Sequence, residues 1–413
     1  MKILIVTQYF WPENFRINDL ATALRDKGHH IEILTGIPNY PSGRIFGGYR
    51  IWGKKKEHFN GISIHRVPLM PRGNGGGVHL FLNYMSFVVF TSLLGPFFCR
   101  EKVDRILVYE PSPVTVCLPA IILKWVKDAP ILFWVQDLWP ETLSATGAFK
   151  SKITLKIVGI LVQFIYRQCD LILVQSRAFV SSIKRFGITQ ERIAYFPNSA
   201  EQFYRPVSPD TCSALKNKMC DGFRIMFAGN IGTAQDFKTI LDTVEILKAN
   251  KQIQWIVLGD GRMRPWVEKQ INARGLEPNI KLLGRYPAEE MPKYFSHADA
   301  LLVTLKKDPI FALTIPAKVQ SYLACAKPII AAIDGEGASI IIEAGAGLVC
   351  PSEDPQQLAT AVMRLHNMSK DERDKMGQSG RKYFEKHFER NMLVDRFEKM
   401  LNHLPRENFK CEL

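Results

Sequence analysis

Residues 299–343 read DALLVTLKKDPIFALTIPAKVQSYLACAKPIIAAIDGEGASIIIE. The apolar run 301–305 has strand length. A loop follows, then a helix opening near Pro316, a second strand over 328–333, a glycine-flanked acidic turn at Gly335-Glu336-Gly337, and another helix. Pro316 suits a first helical position, because its fixed φ is already helical and its missing N–H is among those left unbonded there. Strands and helices that alternate over such short connections imply a parallel sheet, and one edge of that sheet collects strand ends and helix starts. Free backbone N–H groups and positive helix ends at that edge favour an anion. Lys318, one turn inside its helix, adds a full charge. The stretch therefore reads as the floor of a site for a phosphate-bearing ligand.

Working outward, the same alternation fills the chain. Strand 3–7, a helix through Ile17-Asn18-Asp19-Leu20 to Lys27, the stop at Gly28 and strand 31–35 make a β-α-β unit. Further strands are expected at 105–109, 131–135, 171–175 and 192–196, with helices between them. Residues 197–221 lack apolar periodicity and carry Pro197, Pro206 and Pro209, so the connection between two units is placed there. A second series follows, with strands at 224–228, 254–258 and 280–282 before the opening stretch. The expected fold class is α/β: two Rossmann-like, doubly wound parallel-sheet domains facing across a cleft, with residues 1–205 and 223–388 as the domains, 206–222 as the linker and 389–413 as a C-terminal helix packing back on the first domain. The first βα turn, QYFWPENF, has no glycine, so the dinucleotide fingerprint is missing and NAD chemistry loses its support.

Two stretches are unusual. From Gly73 to Cys99 there is no Asp, Glu, Lys or Arg, a length that spans a bilayer. His79, Asn83 and Ser86 recur at helical spacing, however, and Gly95-Pro96 ends the run, so a core or interfacial helix is favoured over a span, with a helix resting on the membrane kept open. In the helix over 153–167, Lys152, Lys156, Gln163 and Arg167 line a narrow stripe and the rest is apolar, which reads as mostly buried or at an interface. Lys150, Lys152, Lys156, Arg167, Arg177, Lys184 and Arg185 surround a single acid, Asp170. The loop 38–48 and the cluster Lys54-Lys55-Lys56 read as a long basic loop.

The chain has 413 residues, a net charge of +14 and 46% hydrophobic content, enough for two cores and pointing to an acidic partner. An anionic membrane surface or phosphorylated substrate fits this organisation, and nucleic acid is not expected. Its eight cysteines show no CxxC pair and no metal-ligand spacing, so no zinc site or disulfide framework is expected. The N-terminus reads as a first strand, and the expected location is cytoplasmic.

The chemistry concentrates at βα turns. Gly229-Asn230-Ile231-Gly232, Gly259-Asp260-Gly261 and Gly284 each follow a strand of the second series. Missing side chains let backbone amides approach a diphosphate, and Arg262 and Arg264 can pair with its oxygens. In the first series Glu13, Asn14 and Arg16 lie in the first βα turn, Glu110 follows a strand, and Asp137 follows another. Asp137 is singled out as a hydroxyl ligand or base, although a strand-end acid is as often a helix cap. Trp134, Trp139 and Tyr109 offer a stacking wall, with core packing favoured for Trp134.

The motifs MKILIVTQYFWPENFRINDLATAL, KGHHIEILTGIPNYP, EPSPVTV, WVQDLWPETLSATG, FAGNIGTAQDF, LGDGRMRPWVE and IPAKVQSYLACAKPIIAAIDGEG span essentially the whole chain. Their order resembles family 4 of the retaining, GT-B-fold glycosyltransferases, in the bacterial branch that builds O-antigen, capsule and colanic acid and includes N-acetyl-L-fucosamine transferases. The resemblance implies transfer of a sugar from a nucleoside diphosphate sugar, with uridine as the expected base, to an undecaprenyl-diphosphate-linked glycan at the inner face of the cytoplasmic membrane, with no cofactor and no metal. It casts Asp137, Lys318 and Arg262 as catalytic, and Gly229, Asn230, Gly259, Gly261, Arg264, Leu313, Thr314, Ser321 and Glu336 as donor-binding. Glu13, Asn14, Arg16 and Glu110 fall on the acceptor side. The chain departs from the pattern where Leu313 and Ser321 replace a Glu-x7-Glu pair, where Asn230 and Asp236 replace an Arg and a Lys, and where Tyr109 or Glu110 replaces a histidine. An epimerase on the same double fold and a non-catalytic assembly partner are the alternatives.

Overall fold

The computed structural model describes residues 1–53, 56–145, 151–209 and 221–404. Lys54, Lys55, Lys150 and most of the 206–222 linker lie outside the described residues. The chain forms two compact units, Met1–Pro197 with Leu393 onward, and Asn198–Met392.

The first unit opens with β1 (Lys2–Val6), α1 (Arg16–Asp26) and β2 (His30–Gly36). Ile17, Leu20, Ala21 and Leu24 of α1 recur at steps of three and four and are buried. A hairpin follows, β3 (Lys56–Phe59) with β4 (Ile62–Val67), paired antiparallel around Asn60-Gly61. Both turn residues have positive φ, the geometry that Asn-Gly adopts readily in a two-residue hairpin. The basic loop expected around Lys56 is thus corrected: Lys56 begins a strand. Next come α2 (Gly77–Phe98), β5 (Arg105–Glu110), α3 (Cys117–Lys127), β6 (Ile131–Val135), α4 (Glu141–Ala145), α5 (Lys152–Gln168), β7 (Leu171–Val174), α6 (Phe179–Lys184) and β8 (Ile193–Tyr195). The strands order as β3-β4-β2-β1-β5-β6-β7-β8, all parallel but β3. The glycine-free first βα turn is filled by buried aromatic side chains, Tyr9 and Phe10.

The second unit runs β9 (Phe223–Ala228), α7 (Phe237–Ile246), β10 (Ile253–Leu258), α8 (Arg264–Arg274), β11 (Ile280–Gly284), α9 (Met291–Ser296), β12 (Ala300–Thr304), α10 (Pro309–Leu313), α11 (Ala317–Ala324), β13 (Ile329–Ala332), α12 (Glu336–Glu343), β14 (Gly347–Cys350), α13 (Pro355–Asn367) and α14 (Lys370–His387). Its six strands order as β11-β10-β9-β12-β13-β14, all parallel. Two parallel-sheet α/β domains are therefore present, as the alternation implied. Pro316 sits one residue before α11 in extended conformation and not at a first helical position. The loop expected before it contains a short helix, α10, capped by the Asp308 carboxylate on the Ile310 N–H.

The last helix, α15 (Arg390–His403), returns to the first unit. Phe397 is fully buried with its ring 5.2 Å from that of Phe196. Glu398 accepts from Lys27 Nζ at 3.0 Å and lies 2.9 Å from His29 Nε2. Arg105 Nε donates to the Leu401 carbonyl at 2.9 Å. Phe397→Ala removes an aromatic ring from this seam. It should destabilise the first unit by about 3–5 kcal/mol in denaturant unfolding, whereas a change near zero would mean that the helix contributes nothing to that core.

Candidate active site

At the C-terminal edge of the second sheet, the turns after β9 and β10 are interlocked. Gly229 N–H donates to Leu258 O at 2.8 Å, Ile231 N–H to Asp260 O at 2.9 Å and Met263 N–H to Ile231 O at 2.9 Å. Gly229 (φ +135°) and Gly259 (φ +148°) hold conformations that other residues rarely adopt. A Cβ on Gly259 would overlap the Gly229 carbonyl, and one on Gly229 would come within 2.8 Å of Lys318 Cε. These glycines admit backbone against backbone and make room for the lysine.

Lys318 is the central residue of this edge. Part of its stem is exposed, but Nζ is shielded from solvent and has no hydrogen-bond partner among the described residues. Nζ rests 3.4 Å above the centroid of the Phe227 ring. Burial holds its pKa well below the usual lysine value. Phe227 was not anticipated from the sequence; it is an inward residue of an ordinary apolar strand, and nothing in the pattern marked it.

Around Lys318 the structure gathers Gly229, Asn230, Gly259 and Gly261. Leu313 and Thr314 end α10, and Glu336 opens α12, whose preceding Gly335 backs directly onto the Ala312 carbonyl. The cations beside Gly261 are less available. Arg264 is engaged by Glu268 at 2.8 Å, and Arg262 is exposed at the start of the helix with no link to the Lys318 group. Ser321 is buried and its hydroxyl donates to Ala317 O at 3.3 Å within its own helix. Thr314 Oγ1 likewise donates to Ile310 O at 2.9 Å.

In the first unit, β1, β5 and β6 are neighbours, and the turns after them carry Glu13, Glu110 and Asp137. Glu13 is buried, and its Oε1 accepts from the N–H groups of Asn39 at 2.8 Å and Tyr40 at 2.7 Å. Burial pushes its pKa up to about 7 against those two donors. Glu110 is fully buried, Oε2 accepting from the Asp137 N–H at 3.3 Å. Burial, and then the Asp137 charge, raise its pKa well above the carboxylate range. Asp137 is fixed by Thr142 Oγ1 and by Trp139 Nε1, the latter at 3.3 Å, and burial raises its pKa too. Two carboxyl groups so placed share negative charge poorly. Asn14 is exposed, and Arg16 is half-buried beside the buried Tyr109 phenol, whose pKa burial raises against the Arg16 charge.

The stacking wall is corrected. Trp134, Trp139 and Tyr109 are all buried, and Trp134 Nε1 donates to Phe196 O at 3.1 Å. An aromatic group that the sequence did not mark lies at this edge instead: buried Tyr9, half-buried Phe15 and exposed Tyr40, with ring centroids 5.1–5.6 Å apart, and Arg72 5.3 Å above Tyr40 and donating to Tyr9 OH at 2.6 Å. Far from this edge the first sheet also brings together Glu32, His65 and Cys99, their ligand-type atoms within 4.8 Å of one another. The carboxylate there already has His65 Nε2 at 2.8 Å and Lys2 Nζ at 3.7 Å.

Glu13 gives a pH test. A carboxyl whose folded pKa is about 7 binds a proton in the native state between pH 4.5 and 7 that the unfolded chain has released, so native stability falls as pH rises through that window. Glu13→Gln keeps the acceptor oxygen for Asn39 and Tyr40 and removes the titration. Its stability relative to wild type should climb between pH 5 and 8 by up to about 3 kcal/mol; a difference that stays flat with pH would refute the raised pKa.

Comparison with known proteins now bears on this geometry. Residues 14–199 match the model of a glycosyl transferase 4-like domain, and residues 216–383 that of glycosyl transferases group 1. The glycosyltransferase WbjE of Pseudomonas aeruginosa is 27% identical over 271 residues, 64% of this chain and 66% of that protein. WcaI of Escherichia coli K12, named as a colanic acid biosynthesis glycosyl transferase, is 24% identical over 338 residues, 78% of this chain and 81% of that one. Among solved structures, sucrose-phosphate synthase of Thermosynechococcus elongatus superposes with a TM-score of 0.73 at 15% identity, covering 98% of both chains. Anabaena HepE, solved with UDP, superposes at 0.71 and 15% identity, covering 98% of this chain and 100% of its own. The two family matches together take in most of the sequence, and the chain belongs to the group 1, glycosyl transferase 4-like glycosyltransferases of the GT-B fold.

Proposed function

We propose that this glycosyltransferase moves a sugar from a nucleoside diphosphate sugar, carried on uridine, to a hydroxyl of an undecaprenyl-diphosphate-linked glycan in the assembly of a bacterial surface polysaccharide. The carrying observation is the Lys318 ammonium, buried without a hydrogen-bond partner among turns that only glycine can make. Such a group is costly unless an anion completes it, and a diphosphate has the matching charge. HepE was solved with UDP-glucose, and the names of WbjE and WcaI place those proteins among glycosyltransferases, WcaI in colanic acid synthesis. N-acetyl-L-fucosamine is the donor sugar that the resemblance favours.

In this reading the bond from the anomeric carbon to the diphosphate oxygen breaks, and the nucleoside diphosphate leaves with the electron pair. Its growing charge is met by Lys318 and by the amides at the start of α12, which stabilise the transition state more than the ground state. The new bond to the acceptor oxygen forms on the face from which the leaving group departs, giving retention. Asp137, held in place by Thr142 and Trp139, receives or orients the acceptor proton. Fixed protein cations and helix amides, and no resident metal, carry the phosphate charge. With Ser321 turned into its own helix, Glu336 at the start of α12 is the carboxylate assigned to the donor's ribose or sugar hydroxyls.

Lys318→Met should weaken UDP binding by at least about tenfold in calorimetry and raise the thermal stability of the unliganded second unit, because an uncompensated polar group is removed from its interior. Unchanged UDP affinity would overturn the assignment. Asp137→Asn should lower turnover by about a hundredfold or more with UDP affinity unchanged, measured on a donor panel with a synthetic lipid-diphosphate acceptor; wild-type turnover would remove Asp137 from the chemistry.

A further inference from the structure

The helices α2, α3 and α5 lie on one face of the first sheet. Their connections, β4 to β5, β5 to β6 and β6 to β7, all move the same way across the strand order, so right-handed crossovers place them together, and α2 packs on α3 and α3 on α5. Twelve of the seventeen large apolar side chains exposed among the described residues belong to these three helices. They form stripes. On α2 the stripe runs Val78, Leu82, Val89, Leu93 and Phe97; on α5 it runs Ile153, Ile157, Ile160 and Phe164; between them Trp125 is 67% exposed at the end of α3. Of the two readings its sequence allowed, mostly buried or at an interface, the first does not hold for α5: its apolar side faces out.

Of the polar residues of α2, Asn83, Ser86 and Thr91 face inward, while His79 near the helix start is exposed. Asn83 is buried, its Oδ1 accepting from Gln8 at 2.6 Å, and Ser86 Oγ accepts from the Met70 N–H at 2.9 Å. Phe87, Thr91 and Gly95 are buried as well, and a Cβ on Gly95 would lie 2.9 Å from Leu34. Although α2 is long and apolar enough to cross a bilayer, that inner face is fitted to the sheet, so α2 presents only its outer side.

The three helices contain no Asp or Glu at all, against Lys124, Lys127, Lys152, Lys156 and Arg167. Lys124 is paired with Asp170, and Lys152, Lys156 and Arg167 are exposed beside the α5 stripe. An apolar field on helices that carry cations and no acid, with Glu101 and Asp128 exposed only past the ends of α2 and α3, is complementary to an interface whose surface is anionic and whose interior is hydrocarbon. Two copies of the same face would set like charges against each other. We infer that the α2–α3–α5 face is a docking surface for an anionic lipid bilayer, on which all three helices lie flat with their outer side chains inserted at headgroup depth. This complements the lipid-linked acceptor of the proposed reaction but does not depend on it.

The test is co-sedimentation of the full chain with vesicles of phosphatidylglycerol and phosphatidylethanolamine, compared with phosphatidylcholine. Wild type should bind the anionic vesicles preferentially, and less as salt rises. The exposed pairs Leu93→Glu/Phe97→Glu and Ile157→Glu/Phe164→Glu should each cut binding at least tenfold while thermal unfolding and UDP affinity stay at wild-type values. Lys152→Gln/Lys156→Gln should reduce both the binding and its salt dependence. Absence of vesicle binding, binding that the glutamate pairs leave intact, attachment that resists alkaline carbonate, or a soluble dimer that those pairs dissociate would each overturn the proposal. Loss of sugar transfer with vesicle binding preserved would count against the reaction and leave this surface standing.

Discussion

An amine enclosed by protein and met by no hydrogen-bond acceptor among the described residues is the constraint to which the second unit is fitted. Lys318 reaches its place only because Gly229 has no side chain, and the turn that carries Gly229 holds its shape only because Gly259 lets the next turn close over it. Three backbone hydrogen bonds tie those turns together before any ligand arrives. Phe227 beneath the amine gives it a surface without giving it a partner. A protein interior tolerates such a group at a cost of several kcal/mol if charged, so the apo site is strained electrostatically in the direction that an anion relieves.

The first unit handles charge in the opposite sense. Three carboxyl groups in the turns after neighbouring strands are buried or half-buried, and burial raises the pKa of each. Glu13 and Glu110 use carboxyl oxygens to hold backbone N–H groups of neighbouring turns. Asp137 is positioned by side chains. The proposed sugar transfer needs both polarities, a cation where the diphosphate departs and a proton acceptor where a hydroxyl attacks, and Lys318 and Asp137 are the residues proposed for them.

Much of the fold was legible because parallel sheets buried on both faces write themselves as short β-branched runs between helical periods. Those runs fell where β1, β5, β6, β9, β10 and β13 form. The hairpin around Asn60-Gly61 carried a signal in that dipeptide, which the surrounding lysines obscured. The outward face of α5 was not legible, since an apolar helix buried in a core and one lying at an interface have the same periodicity and differ only in what covers them. At the site, the glycine turns and Lys318 were readable from strand-end position alone. The engagement of Arg264 by Glu268 and the turning of Ser321 onto Ala317 are contacts four residues apart within single helices, local once the helix bounds are known, whereas the Tyr9–Phe15–Tyr40–Arg72 group is a tertiary outcome with no local trace.

The central claim is that burial lowers the pKa of Lys318 in the unfilled site and that a diphosphate raises it again. Nuclear magnetic resonance of the 15N-labelled side-chain amine of Lys318, titrated over pH with and without UDP, reads this directly. The account predicts a titration midpoint below that of an ordinary lysine without ligand, moved upward on addition of UDP. A midpoint at the ordinary lysine value in the free protein, unmoved by UDP, would contradict it.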